Sequence, residues 1–191
     1  MMPTPRLERR PRVLLLGGAL ASFLAAAAMP APAQSASPVV TGRMVLATDA
    51  AHAGTSAQAG LVGEIADGYH INDHHPSLDY LIPTELKLEA AAPLSPGAVV
   101  YPKGTARRFP FLDTPISVYE GKLVLTTAVQ VAANARPGSY TLKGALSYQA
   151  CNDHACLAPT SLPVQLTVKV VPPSVALKEA NSDVAVRRKS N

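Results

Sequence analysis

From Thr84 to Glu89 the side chains alternate without a break. Thr84, Leu86 and Leu88 fall on one side, and Glu85, Lys87 and Glu89 on the other. This is the period-two pattern of a strand with one face buried and one face wet. The same pattern recurs in Leu123, Leu125, Thr127, Val129 and Val131, in Tyr140, Leu142, Gly144, Leu146 and Tyr148, and in Leu162, Val164, Leu166, Val168 and Val170. Shorter apolar runs at Val39–Ala47, Leu61–Ala66 and Val99–Tyr101 read as further strands, and Thr48–Ala59, small and polar, reads as a loop. Residues 105 to 119, TARRFPFLDTPISVY, contain two prolines and read as an ordered excursion from the sheet that exposes Phe109 and Phe111.

No segment holds a helical period, apart from a weak one in the tail. Eighteen prolines are spread along the chain, and a helical protein would not tolerate that distribution. Counting gives about seven or eight short strands joined by Gly/Pro turns, which predicts an all-β fold, an immunoglobulin-like antiparallel β-sandwich.

The two ends depart from this pattern. Arg6, Arg9, Arg10 and Arg12 precede an apolar run of sixteen residues from Val13 to Ala28, and Ala31-Pro32-Ala33 offers a small-x-small cleavage site. Residues 1–33 therefore read as a secretory signal peptide, and the run is short of the roughly 20 apolar residues a membrane span needs. No stable membrane anchor is expected. Residues 34–172 form one domain, and residues 173–191 read as a disordered basic tail ending Arg187-Arg188-Lys189.

Most of the net positive charge belongs to the leader. The whole chain carries seventeen Lys/Arg against thirteen Asp/Glu; without the leader's four arginines and Glu8, thirteen stand against twelve. That near-neutral balance gives no reason to expect a nucleic-acid partner.

The candidate chemistry lies in SYQACNDHACLAPT, residues 147–160, which holds the only two cysteines. One alternating strand enters Cys151 and another leaves Cys156, so the segment reads as a hairpin with a cysteine on each side of its neck. Residues opposed across an antiparallel pair have Cα atoms roughly 4.5 to 5.5 Å apart, within the roughly 4.4 to 6.8 Å of a disulfide. In an exported chain the pair reads as one disulfide, either a structural staple or a traded bond. A ring this small stabilises by only about 2 kcal/mol. The alternation that buries Leu146 and Tyr148 also places Cys151 on the more accessible face. Of the residues between the cysteines, His154 would favour a thiolate when protonated, and Asp153 would oppose it. His70, Asp73, His74 and His75 form a second polar cluster with metal-ligand chemistry, but nothing in their spacing gathers them. No cofactor is called for.

Four blocks resemble the N-terminal periplasmic domain of the disulfide reductase DsbD and its stand-alone disulfide bond corrector relatives. They are DGYHIN (67–72), YLIPTELKLE (80–89), SVYEG (117–121) and YQACNDHACLAP (148–159). The resemblance implies an immunoglobulin-like thiol:disulfide exchange module in the periplasm, with Cys151 and Cys156 as the redox pair and Cys156 forming the mixed disulfide. It implies a cap-like loop over the pair, in the position of Phe109 and Phe111. The implied partners are thioredoxin-like redox proteins, and a membrane electron conduit would act in trans, because the reductase's membrane-spanning and thioredoxin-like domains have no counterpart here. The alternative from the residues alone is a non-catalytic protein-binding sandwich with a structural disulfide.

Overall fold

The alternation of Leu123 to Val131 becomes the interior of a sheet. β9 (Lys122–Val131) buries Leu123, Leu125, Thr127, Val129 and Val131 and is hydrogen-bonded on both sides. This computed structural model describes residues 38–109 and 113–185, which lie within the unit Ser37–Asn191. The expected leader falls outside the described residues.

The first sheet runs β1 (Val40–Leu46), β3 (Ser56–Ile65), β9, β6 (Leu94–Pro96), antiparallel throughout. The second runs β2 (Ala51–His52), β12 (Thr160–Val171), β10 (Gly138–Tyr148), β5 (Glu85–Leu88), and only β2 pairs parallel. One core joins their inner faces: Leu61 and Leu125 from the first sheet share it with Leu142, Leu146 and Leu166 from the second, each no more than 2% exposed. The expected immunoglobulin-like sandwich is the observed architecture, and the described residues contain no helix.

A third, smaller sheet stands beside the sandwich in the order β11 (Ala150–Cys151), β4 (His70–Asn72), β8 (Ile116–Tyr119), β7 (Thr105–Arg107). The excursion at 105–119 is therefore a hairpin, with Thr105 opposite Val118 and Arg107 opposite Ile116. Its turn carries Phe109, while Phe111 lies outside the described residues.

Three expectations change. The loop at Thr48–Ala59 contains β2 and the first half of β3, where Ala57 and Ala59 are buried and Ser56 and Gln58 are not. Alanine is too small to signal a core period, yet small residues suit a strand enclosed by two neighbours. Val99–Tyr101 is not a strand; Val100 makes a single bridge to Thr126. The tail is not disordered from residue 173. Asp49 accepts from the Lys178 amide at 2.9 Å, Asn181 donates to Leu46 O at 2.7 Å, and Lys122 pairs with Asp183 at 2.7 Å. Val184 is 1% exposed, seated with Val45 and Ala47 against Val62 and Val124 on the outer face of the first sheet. A Cβ at Gly60 would run into both Leu125 O and Val184, so the bare backbone there makes room for this strap.

Candidate functional site

The alternation of β10 ends at Tyr148, whose partner is Thr160, so the cysteines lie beyond the β10–β12 ladder. Past Gln149 the chain turns into β11 and pairs with β4, placing Ala150 opposite Ile71 and Cys151 opposite His70. That change of partner resets the inside–outside phase. Cys151 is 2% exposed rather than accessible, whereas Cys156 is exposed. The two are bonded, with Cα atoms 3.9 Å apart, closer than residues opposed across a regular ladder. Asn152 shapes the turn between them, accepting from the amides of His154 and Ala155 at 2.9 Å each.

Phe109 is also more buried than its loop suggests. It is 5% exposed and packs with Ile116 and Val118, with Leu78 and Leu81 against them. Its ring stacks on His70, centroids 4.4 Å apart and planes 27° apart, so it covers the strand neighbour of Cys151. His70 is itself 3% exposed. Burial holds its imidazole below the ordinary 6.5; nearby Glu120 and Asp153 oppose that shift and Arg107 adds to it.

The sign of the resulting pH dependence follows from linkage. Above about pH 6.5 the imidazole is neutral both folded and unfolded, so it adds no slope. Below that, the unfolded chain takes up a proton first, and stability falls until the folded imidazole also titrates. Urea unfolding should show this loss as the pH falls through about 6.5, and His70→Phe should flatten it. A slope unchanged by the substitution would place its origin elsewhere.

Asp73, directly after β4, ties down the base of the hairpin. Its Oδ2 accepts from Ser117 Oγ at 2.6 Å and Gly104 N at 3.2 Å; its Oδ1 accepts from Tyr119 Oη at 2.7 Å and His75 N at 3.2 Å. Burial pushes this carboxyl up, but the four hydrogen bonds outweigh it and hold the group below 3.8. Tyr119 is pushed up, by burial first and by its bond to Asp73 second. A Cβ at Gly104 would overlap both the Asp73 carboxylate and the Ser117 hydroxyl. Sequence reasoning missed this knot, although Ser117 and Tyr119, two apart in a strand, necessarily share a face.

The histidine cluster is not assembled for a metal. His74 Nδ1 lies 2.9 Å from Thr84 O, and its ring stacks on Tyr101 at 3.7 Å while His70 faces Phe109. Among the described residues no three His, Cys, Asp or Glu side chains are grouped to hold an ion.

Fold and site together define an immunoglobulin-like domain that carries a half-exposed disulfide, buried at one cysteine and open at the other, on a small side sheet. Residues 40–167 match the family described as thiol:disulfide interchange protein DsbD, N-terminal, and the chain belongs to that family. No curated protein matches it. Similar solved structures include the reduced DsbD N-terminal domain of Neisseria meningitidis (18% identity, 73% of this chain and 90% of that one, TM-score 0.41). They include the N-terminal periplasmic domain of ScsB from Proteus mirabilis (14% identity, 66% and 44%, TM-score 0.43). A third is the complex of the DsbD and PilB N-terminal domains from Neisseria meningitidis (22% identity, 63% and 79%, TM-score 0.35).

Proposed function

We propose that this chain is a periplasmic thiol:disulfide exchange module working through Cys151 and Cys156. The observation that carries the reading is the asymmetry of the bond: Cys156 is exposed and Cys151 is 2% exposed. Membership of the DsbD N-terminal family supports it. An attacking thiolate meets Cys156 Sγ, the sulfur–sulfur bond breaks, and Cys151 leaves as a thiolate that takes up a proton. The partner is then held to Cys156 as a mixed disulfide. The partner's second thiol attacks its own bonded sulfur and releases Cys156, leaving the partner oxidised and this domain reduced by two electrons. The reverse sequence reduces an acceptor disulfide, so the domain is an electron carrier that depends on a separate redox protein.

The partners proposed are thioredoxin-like proteins, with a membrane electron conduit in trans. Residues 1–33 are proposed as the cleaved export signal, which would deliver the domain to the periplasm with Gln34 near its new N-terminus. Phe109 is proposed as the cap, acting through its stack on His70 rather than as an exposed lid over Cys156.

Equilibrating the domain in glutathione or dithiothreitol buffers and counting free thiols tests the function. A traded bond should have a potential in the roughly −180 to −270 mV range of thioredoxin-type carriers. A value below about −300 mV would make the bond a structural staple.

A further inference from the structure

Beside the disulfide lies a pocket of about 180 Å³, lined among others by Asp67, His70, Arg107, Glu120 and Asp153. It is smaller than the roughly 300 Å³ at which sites for drug-sized molecules begin, and suits a single side chain. Glu120 is paired with Arg107 at 3.3 Å. Asp67 and Asp153, both exposed, have no hydrogen-bonded or ion-paired side-chain partner among the described residues, which leaves two carboxylates on the rim free to pair with an incoming cation.

A second observation is independent of charge. His70, 3% exposed, contributes to the pocket wall, and neither of its ring nitrogens is hydrogen-bonded among the described residues. Burial keeps that imidazole neutral, so one ring nitrogen offers a lone pair. An unpartnered imidazole in a pocket wall and two unpaired carboxylates on its exposed rim suit a donor that is also a cation. A metal ion is a poor candidate, because the described residues contain no group of three ligating side chains.

The pocket's location identifies where such a cation comes from. Asp153 sits on the turn between Cys151 and exposed Cys156, so whatever docks on Cys156 meets this rim. The attacking group in exchange is a thiolate, and an anionic rim repels it unless its carrier also brings positive charge. We infer that the pocket is a subsite receiving a lysine or arginine side chain of the redox partner, and that it selects partners carrying such a residue beside the reactive cysteine. The inference rests on the exchange reading above.

The test uses the oxidised domain and three reduced cysteine peptides that differ only in one neighbouring residue: lysine, glutamine or glutamate. Rates of mixed-disulfide formation are divided by each peptide's rate with an uncharged disulfide, bis(2-hydroxyethyl) disulfide, which removes the effect of the neighbour on the thiol itself. At low salt the lysine peptide should be favoured over the glutamate peptide by about tenfold. The preference should shrink at high salt and collapse towards unity in Asp67→Asn, Asp153→Asn, two conservative changes outside the core. Equal normalised rates, or a preference that survives the double substitution, would overturn the subsite while leaving exchange intact. Failure of all three peptides to form a mixed disulfide would remove the exchange reading and the subsite with it.

Discussion

Replacing Cys151 with alanine is expected to turn the domain into a trap: Cys156, exposed and deprived of its resolving partner, should retain a thioredoxin-like protein as a stable mixed disulfide on a non-reducing gel. Turnover should be lost altogether. The mirror variant, Cys156→Ala, should capture nothing, because the remaining thiol at Cys151 is 2% exposed, on a strand paired with β4. Alanine is preferable to serine at 151, since a hydroxyl there would be buried without an assured partner at about 1–3 kcal/mol. Both single variants, and the double one, should still fold. The ring spans only five positions of sequence, and its loss is worth about 2 kcal/mol against a typical domain stability of about 5–15 kcal/mol. Equal trapping by both variants would show that burial does not set the order of attack. Unfolding of the double variant would point to a staple.

The second large effect should follow Phe109→Ala. The position reads as loop, and loop substitutions are usually mild, but this ring is 5% exposed, stacked on His70 and central to a small cluster with Ile116 and Val118. Truncating a buried phenylalanine costs about 3–5 kcal/mol, and a satellite cluster should lie near the lower figure. The loss should stay local, since the cluster is distinct from the main core. At about 1.4 kcal/mol per factor of ten, opening of the side sheet should become about a hundredfold more frequent. In the reduced protein this predicts much faster alkylation of Cys151 by a bulky reagent and faster amide exchange across Ile116–Tyr119, with Cys156 little changed. An unaltered Cys151 rate would mean that Phe109 does not guard it.

What was legible in the sequence was the sandwich. β9, β10 and β12 alternate leucine and valine against polar neighbours, and a large buried side chain every second position is a signal that a single chain displays by itself. The first half of β3 gave no such signal, because its buried positions are alanines. The pair Cys151/Cys156 and the family were legible from the cysteine block, but the geometry was not. Counting inward and outward from Tyr148 fails at Gln149, where the strand changes partner from β12 to β4, and no local residue announces that switch. Phe109 misled for a related reason: a turn flanked by proline reads as surface, while Leu78 and Leu81, which pack against its cluster, come from a distant segment. Apart from the His75 amide, the Asp73 knot joins residues 31 to 46 positions apart, a range at which spacing carries no information.

The strap that ends with Val184 bears on how the domain is handled by proteases and by experimenters. The family match stops at residue 167, yet the folded unit reaches at least residue 185. A cut at residue 167 would run through β12 and take Val168 and Val170 from the core, whereas a chain ended or nicked in the exposed Pro172–Val175 turn would keep the sandwich and the cysteines while shedding the cover over Val45, Ala47, Val62 and Val124. Those four side chains would then form a wetted apolar stripe on an otherwise polar sheet face, a surface prone to self-association. Solubility, more than redox chemistry, should therefore be the first property to suffer from a shortened C-terminus.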